Sequence, residues 1–138
     1  MKRKFVDLYI EIAEVVAKTS TATRLKVGAV AVKDHRILSV GYNGTPPGFD
    51  NVCETQNEDG STVTRPEVIH AEQNAIYKMA RDGQSALGAD LFVTHAPCVE
   101  CAKAIKTSGF RKVWYRNQYR SDDGIKFLQQ LGVEVEKI

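Results

Sequence analysis

Residues 90–136 read DLFVTHAPCVECAKAIKTSGFRKVWYRNQYRSDDGIKFLQQLGVEVE. Three short apolar runs in this stretch predict β-strands, at Asp90–Thr94, Lys112–Arg116 and Val133–Glu136. The two intervening segments predict helices, at Cys98–Thr107, ending near Gly109, and at Ser121–Leu131. Because a helix separates each strand from the next, we expect the three strands to pair in parallel, with right-handed crossovers.

The segment before this stretch combines a helix with a long irregular region. Residues 67–81 have helical spacing through Ala71, Ala75 and Met79, which predicts a helix over Glu67–Arg81. Residues 43–66 are interrupted repeatedly by glycine and proline, at Gly44, Pro46, Pro47, Gly48, Gly60 and Pro66. A loop of this length is uncommon inside a compact domain, and loops of this kind are typically functional.

The N-terminal part predicts a helix and a hairpin. Residues 4–18 carry apolar side chains three and four positions apart, which is the pattern of an amphipathic helix. Lys26–Val32 and Ile37–Tyr42 predict two strands, and Asp34–Arg36 predicts the turn between them. The complete order is αββαβαβαβ. It predicts an α/β fold of three α/β/α layers, with one mixed five-stranded sheet and helices on both faces, in a single domain over residues 1–138.

Composition excludes several classes of function. The chain has 138 residues, 43% of them hydrophobic and 26% charged, with a formal net charge of +2. This charge is too small to predict a protein that coats nucleic acid or a membrane. No apolar run has the length of a signal peptide or a membrane span, so we expect a cytoplasmic protein. Three cysteines, an odd number, argue against a disulfide framework.

Two short motifs carry the chemistry, His70-Ala71-Glu72 and Pro97-Cys98-Val99-Glu100-Cys101. Zinc prefers imidazole nitrogen and thiolate sulfur, and a catalytic zinc keeps three protein ligands with a fourth place for water. His70, Cys98 and Cys101 supply that number of ligands. Glu72 is then available as an acid and base.

The positions of the motifs favour a shared metal. Cys98 and Cys101 are three residues apart at a predicted helix start, so they share a face, and Pro97 suits the start of a helix. Thiols at a helix N-terminus have lowered pKa values, which favours the thiolate form. His70 and Glu72 can both approach a metal only from the first turn of their helix. The motifs therefore predict a metal between two helix N-termini, where open α/β sheets commonly build their sites.

Three other interpretations apply to the same residues. The Cys-x-x-Cys pair is also found in thioredoxin-like redox proteins. A closed structural zinc site would use Cys53 as a fourth ligand beside His70 and the two other cysteines. Glu72 could be an ordinary solvated helix residue. The combination of His-x-Glu with Pro-Cys-x-x-Cys favours catalysis over these interpretations, because it is the signature of zinc nucleobase deaminases.

The flanks of the motifs resemble a particular family. The similar segments are Val27–Val30, Gly41–Pro46, His70–Ile76 and Pro97–Ile105. With these segments the chain is similar to the deoxycytidylate (dCMP) deaminase family over most of its length, from Phe5 to about residue 135. The Gly-Tyr-Asn-Gly-x-Pro element and the Cys-Ala-Lys-x-Ile extension distinguish this family from transfer-RNA adenosine deaminases, which share the metal motifs. The resemblance implies the cytidine-deaminase-like form of the predicted fold.

The resemblance also implies an activity, the hydrolysis of dCMP to dUMP and ammonia, which feeds thymidylate nucleotide synthesis. In this mechanism zinc on His70, Cys98 and Cys101 activates a water molecule. Glu72 carries a proton from that water to N3 of cytosine and then helps to protonate the leaving amine.

Four residues are expected to bind the rest of the nucleotide. By analogy with the family, Asn43 contacts the deoxyribose 3′-hydroxyl, although Asn-Gly is also a strong turn signal. The phosphate needs cations or other donors, for which we select Arg24, Tyr119 and Arg120. Each of these three is also a plausible solvated surface residue.

Two rival functions are compatible with the same motifs. Residues 111–120 mix arginine, lysine, tryptophan and tyrosine, which is typical of a surface that binds single-stranded nucleic acid. A transfer-RNA adenosine deaminase, or another polynucleotide deaminase, is therefore the main alternative. A non-catalytic zinc module that binds a protein partner is the second. The mild net charge opposes the first, and the spare ligand position beside Glu72 opposes the second.

Regulation is expected from the resemblance alone. Members of the family are commonly hexamers that are activated by dCTP and inhibited by dTTP with Mg²⁺. Their effector site lies at subunit contacts near the loop that corresponds here to Gly41–Gly48, including Gly41, Asn43, Gly44 and Pro46. Longer relatives carry an insertion with ligands for a second, structural zinc. The corresponding region holds only Cys53 here, so we predict one Zn²⁺ per chain.

Overall fold

Four helices and seven strands make up the chain, which the computed structural model describes from residue 1 to residue 138. The helices are α1 (Arg3–Ala17), α2 (Ala71–Arg81), α3 (Val99–Ser108) and α4 (Asp123–Gln130). The strands are β1 (Gly28–Lys33), β2 (Arg36–Tyr42), β3 (Glu54–Gln56), β4 (Thr62–Thr64), β5 (Asp90–His95), β6 (Lys112–Asn117) and β7 (Glu134–Lys137). None of the four helices combines the length and the apolar character needed to cross a membrane.

The main sheet is mixed, with the strand order β2-β1-β5-β6-β7. Strand β1 is antiparallel to both of its neighbours, β2 and β5. Strands β5, β6 and β7 are parallel to one another, and α3 and α4 form the connections between them. The predicted mixed five-stranded sheet is therefore confirmed. Because β5 and β6 are parallel, their carboxyl ends lie together at one edge of the sheet.

The β1–β2 hairpin turns in two residues. Lys33 pairs with Arg36, and the intervening Asp34 and His35 have φ angles of 50° and 59°. Positive φ at both central residues is the geometry of a type I′ turn, whose twist matches that of the flanking strands. The predicted turn is confirmed, with Arg36 already part of β2.

The helices cover both faces of the sheet, as predicted. Helix α1 packs on one face, where Tyr9 and Ile10 meet Phe92 of the central strand β5. Helices α2, α3 and α4 cover the other face and contribute Met79, Ile105 and Leu128 to the larger core. All of these side chains except Tyr9 are at most 1% exposed, so apolar burial on both faces stabilises the three layers.

The region predicted to be irregular, residues 43–66, contains a small antiparallel hairpin. Glu54 pairs with Thr64 and Gln56 with Thr62, so β3 and β4 form a separate two-stranded sheet. The prediction was wrong here because strands of three residues are too short to show an alternating pattern. The turn at residues 57–60 closes with Gly60 at φ +83°.

Helix α2 begins at Ala71, four residues later than the predicted start at Glu67. The reason is a bridge between Ile69 and Gly44, in which each backbone N–H donates to the other residue's carbonyl, at 2.8 and 3.1 Å. In a continuous helix the backbone N–H and carbonyl of Ile69 would point along the helix axis and could not pair with Gly44. The tertiary bridge therefore sets the helix start, and it places His70 directly before the first helical residue.

Candidate active site

Two helix N-termini carry the four residues of the motifs. His70 is the N-cap of α2, and Glu72 is the second residue of that helix. Cys98 is the N-cap of α3, and its sulfur accepts a hydrogen bond from the backbone N–H of Cys101 in the first turn, at 3.5 Å. The predicted convergence at two helix N-termini is thus the arrangement in the fold. The positive ends of both helix dipoles favour thiolate and carboxylate charge at this point.

The three candidate metal ligands form one tight cluster. Nδ1 of His70 lies 3.2 Å from Sγ of Cys101 and 3.6 Å from Sγ of Cys98, and the three donor atoms lie within 4.8 Å of one another. Nitrogen and sulfur ligands of a tetrahedral zinc are about 3.5 Å apart when the bonds have their usual lengths. The donor set and its spacing therefore fit a zinc ion. The imidazole is on the exposed side of the cluster, and Cys101 is fully buried.

Protonation of the cluster is strongly coupled. Hydrogen bonds from Cys101 and from His70 outweigh burial and lower the pKa of the Cys98 thiol to about 3. The same hydrogen bond with Cys98, together with burial, raises the pKa of Cys101, and the bond with Cys98 also raises the pKa of His70. The metal-free cluster thus holds one thiolate and one thiol. A divalent cation stabilises both thiolates, so its binding releases a proton.

Glu72 is buried beside the cluster, with 4% of its surface exposed. Burial raises the pKa of its carboxyl group, against the smaller effect of the positive charge of His70. A raised pKa stabilises the protonated form of a carboxyl group, which an acid and base catalyst must form when it carries a proton. Because Glu72 is buried, it is not an ordinary solvated helix residue.

A cavity of about 300 Å³ opens above these residues. Its volume is at the lower end of the range for small-molecule sites. The lining combines parts of the motifs with residues from five other segments, namely Ala22, Arg24, Leu25, Val27, Asn43, Cys53, Glu54, Thr64, Val68, His70, Ala71, Glu72, His95, Ala96, Cys98, Tyr119 and Arg120. The substrate residues selected from the sequence therefore all line this cavity.

The selected cations lie at the exposed part of the cavity. Arg24 precedes β1, and its guanidinium donates to Oγ1 of Thr64 at 3.2 Å. Arg120 follows β6, and its guanidinium lies 5.6 Å from the ring centre of Tyr119. Neither arginine forms an ion pair, so both charges are free to meet an anion. The lining of the cavity thus combines a buried acid and two metal ligands with two cations that form no ion pair.

Asn43 lines the cavity but is also tied to the backbone. Its Oδ1 accepts from the N–H of Val27 at 2.8 Å, and its Nδ2 donates to the carbonyl of Leu25 at 2.8 Å. These bonds fix the segment that leads from Arg24 into β1. An amide can form four hydrogen bonds, so one donor and one acceptor position remain for a ligand.

The glycines of the predicted effector loop have packing roles in the fold. A Cβ atom on Gly41 would lie 2.2 Å from the carbonyl oxygen of Ala71 and 2.5 Å from the nitrogen of Ala75, so only glycine lets α2 approach β2. Gly44 forms the bridge with Ile69 described above. The packing of α2 against this loop therefore explains why glycine occupies position 41 and how Gly44 contributes to the fold.

His95, Glu54 and Thr64 also line the cavity, although they were not predicted from the sequence. His95 ends β5, and its Nδ1 lies 2.9 Å from Oγ1 of Thr94. Its position at the carboxyl end of a parallel strand was a usable signal, because sites form at that edge. Glu54 and Thr64 belong to the unpredicted β3–β4 hairpin, and the sequence offered no signal for them.

Two alternatives lose their basis in the fold. Trp114 and Tyr115 are buried, at 6% and 8% exposure, and the indole N–H of Trp114 donates to the buried Asp90 at 2.9 Å. Two of the three aromatic residues of the supposed nucleic-acid surface are therefore core residues, and the third, Tyr119, lines the cavity. Cys53 lines the cavity but stays outside the donor cluster, and its sulfur lies 3.5 Å from Oγ1 of Thr21. The closed four-ligand site is thus not formed.

Gly124 of α4 packs against the backbone of Pro97 and Cys98, and a substitution at this position tests that contact. A Cβ atom there would lie 2.0 Å from the carbonyl oxygen of Pro97 and 2.9 Å from that of Cys98. We expect Gly124→Ala to reduce the free energy of unfolding by about 1–3 kcal/mol, since backbone atoms must shift to admit the methyl group. Chemical denaturation measures this.

The matched control is Gly44→Ala. There the added methyl meets nothing closer than the ring of Tyr42, at 3.6 Å. If Gly124→Ala is as stable as this control, the close contact between α4 and the loop of Cys98 is not present in solution.

The chain is similar to known deaminases in sequence and fold. Residues 3–117 match the family model of the cytidine and deoxycytidylate deaminase zinc-binding region. The solved structure of the dCMP deaminase from the cyanophage S-TIM5, in complex with dCMP and dUMP, has a TM-score of 0.92 and 52% sequence identity, and the match covers 100% of this chain and 99% of that chain.

Two curated relatives are also deoxycytidylate deaminases. The deoxycytidylate deaminase of Enterobacteria phage T4 is 34% identical, over 91% of this chain and 86% of that protein. The deoxycytidylate deaminase of Mycobacterium phage D29 is 37% identical, over 79% of this chain and 91% of that protein. The chain therefore belongs to the cytidine and deoxycytidylate deaminase family of zinc-dependent enzymes.

Proposed function

We propose that this chain hydrolyses dCMP to dUMP and ammonia. The observation that carries the proposal is the cavity, whose lining combines a buried carboxyl and two of the three metal donors with two arginines that form no ion pair. A pyrimidine nucleotide has the matching chemistry, with a ring to be protonated and a phosphate dianion. The S-TIM5 protein, which is solved with dCMP and dUMP, supports the same substrate.

The metal proposed for the cluster is one zinc ion per chain, held by His70, Cys98 and Cys101. The spacing of the donors fits zinc, and the chain brings together no second group of three such side chains. Zinc supplies a Lewis acid that lowers the pKa of a water molecule and leaves one coordination place open for it. Both helix N-termini then offset part of the thiolate charge.

Glu72 performs the proton transfers in this proposal. Its carboxylate takes a proton from the attacking water and delivers it to N3 of the pyrimidine, which makes C4 more electrophilic. Once the water oxygen has bonded to C4, Glu72 takes the remaining proton from that hydroxyl and donates it to the amino group. The C4–N bond then breaks, ammonia leaves, and the hydroxyl oxygen becomes the carbonyl oxygen of dUMP. The burial that raises the pKa of Glu72 suits both transfers, because each proton must be held by the carboxyl group between its uptake and its delivery.

The sugar and phosphate contacts are assigned to the remaining cavity residues. Asn43 contacts the deoxyribose with its free donor and acceptor positions. Arg24, Tyr119 and Arg120 bind the phosphate, for which guanidinium groups are well suited because they donate in pairs. These two cations and one hydroxyl all belong to residues that line the cavity.

Removal of one arginine should affect affinity more than turnover. We expect Arg120→Ala to raise the KM for dCMP about 10-fold to 100-fold, the usual range for a lost hydrogen bond to a charged group, with kcat nearly unchanged. Arg36→Ala is a matched control, because Arg36 is exposed and forms no ion pair or side-chain hydrogen bond. Equal KM values for Arg120→Ala and Arg36→Ala would remove Arg120 from the phosphate site.

A substrate panel tests the function itself. Ammonia release is measured with dCMP, CMP, deoxycytidine and an RNA hairpin. We expect dCMP to have the highest kcat/KM, and deoxycytidine a much lower value because it lacks the phosphate. Turnover of the RNA alone would favour a polynucleotide deaminase. No turnover of any substrate by protein loaded with zinc would favour the non-catalytic module.

Assembly and regulation extend the proposal on the basis of the family resemblance. We propose a cytoplasmic hexamer that serves thymidylate synthesis, with dCTP as activator and dTTP, together with Mg²⁺, as inhibitor. The loop Gly41–Gly48 is the proposed effector contact. Light scattering and assays with each triphosphate test this. A monomer with an activity that dCTP does not change would contradict it.

A further inference from the structure

The β3–β4 hairpin binds the segment that carries Arg24. One carboxylate oxygen of Glu54 accepts from the backbone N–H and the hydroxyl of Thr23, both at 3.1 Å. The other oxygen accepts from the N–H of Thr23 at 3.1 Å and from that of Arg24 at 3.3 Å. Glu54 thus holds the backbone at Arg24 from a position 30 residues along the chain.

The same hairpin holds the side chain of Arg24. Thr64 is the register partner of Glu54 across the hairpin, and its Oγ1 accepts from the guanidinium of Arg24 at 3.2 Å. Adjacent side chains of the two strands therefore fix both ends of one arginine. All three residues, Arg24, Glu54 and Thr64, line the cavity.

The guanidinium of Arg24 nevertheless forms no ion pair. The negative charge of Glu54 attracts Arg24 from a distance, but the oxygens of Glu54 accept from backbone and hydroxyl groups. The bonds from Thr23 and Arg24 outweigh burial and lower the pKa of Glu54, so the carboxylate remains an acceptor at neutral pH. An arginine that is held in place and still unpaired is prepared to bind an anion without losing further side-chain freedom.

We propose that Glu54 and Thr64 are positioning residues that hold Arg24 ready for the 5′-phosphate of the nucleotide, and so contribute to the preference for nucleotides over nucleosides. This inference rests on the proposed function. It goes beyond that function because neither residue needs to touch the substrate. The contribution is entropic, because the side chain of Arg24 has already lost its conformational entropy in the free protein and loses little more when the nucleotide binds.

The test uses the zinc-loaded 138-residue protein and two measurements. The first is the KM for dCMP, and the second is the inhibition constant of deoxyuridine, which has the product base and sugar but no phosphate. We expect Thr64→Val and Glu54→Ala each to raise the KM for dCMP about 3-fold to 10-fold, the effect of ordering one long side chain on binding. The inhibition constant of deoxyuridine and kcat should stay within 2-fold of the starting values.

A double-mutant cycle separates positioning from general damage. In the Arg24→Ala background, we expect Glu54→Ala to have no further effect on the KM for dCMP, because the group it positions is gone. Glu58→Ala is the matched control, an exposed glutamate in the turn of the same hairpin with no side-chain bond. It should leave both constants unchanged.

Three outcomes would overturn the inference. The first is a KM for dCMP that is unchanged or lowered in both Thr64→Val and Glu54→Ala. The second is a rise in the inhibition constant of deoxyuridine that equals the rise in the KM for dCMP. The third is additivity of the effects of Arg24→Ala and Glu54→Ala on that KM. If the unmodified protein turns over no dCMP, the proposed function fails first. If it turns over dCMP and the cycle is additive, only the inference fails.

Discussion

Glu72→Gln is expected to keep the full zinc content of the protein and to lose its turnover. The amide has nearly the shape of the carboxyl group but can neither accept nor deliver the proton. General acid and base catalysis contributes about 100-fold to 10,000-fold per group. Because the proposed mechanism uses Glu72 for two transfers, we expect kcat to fall by at least about 1,000-fold. Ammonia release and metal analysis on the same sample measure both properties.

The fold should tolerate this substitution. Burial raises the pKa of Glu72, which means that the charged form is penalised in the folded, metal-free protein. A neutral amide avoids that penalty, so the melting temperature should not fall. A Glu72→Gln variant that retains more than a tenth of the original kcat would contradict the role of Glu72 as proton carrier. A variant that is inactive but has also lost its zinc would leave Glu72 as a residue that supports the metal cluster.

Cys98→Ala is expected to lose both zinc and activity. Cys98 is the N-cap of α3 and the thiol with the lowest pKa in the cluster, about 3, so it is the ligand that is ready as a thiolate. Loss of an outer partner of a metal ligand costs about 10-fold to 100-fold in metal affinity, so loss of a ligand itself should cost at least about 100-fold. Metal analysis after dialysis against a zinc buffer measures this.

Cys53→Ala is the control for the metal site. Cys53 is as deeply buried as Cys101, with 1% exposure, but lies outside the donor cluster. We expect Cys53→Ala to retain one zinc per chain. Loss of zinc in this variant would mean that Cys53 is a fourth ligand and that the site is structural. A full zinc content in Cys98→Ala would show that the three-ligand set is wrong.

The order of the main elements could be predicted because it depends on local patterns. Apolar runs at Asp90–Thr94 and Lys112–Arg116, with a helical segment between them, predict parallel strands without any tertiary information. The turn at Asp34–Arg36 was also predicted, and the structure limits it to Asp34 and His35. The β3–β4 hairpin was missed because each of its strands is only three residues long. Such strands depend on partners that are distant in the sequence.

The family and the metal motifs were equally accessible. His70, Glu72, Cys98 and Cys101 lie in two motifs whose residue types and spacing already specify zinc and an acid. The family comparison confirmed this recognition. The helix start at Ala71 could not be predicted, because it is set by the bridge between Gly44 and Ile69. That bridge is a tertiary contact, and it gives His70 its N-cap position.

By itself, then, the sequence determined the layers of the fold, the deaminase family and the four residues of the zinc motifs, because each depends on local spacing. Only the tertiary structure decided what holds Arg24, one of the two arginines that the sequence analysis had already selected. Arg24 and Arg120 are 96 positions apart, and Glu54 and Thr64 reach Arg24 through an unpredicted hairpin. Contacts between distant segments are set by packing of the whole chain, and a local pattern carries no record of them.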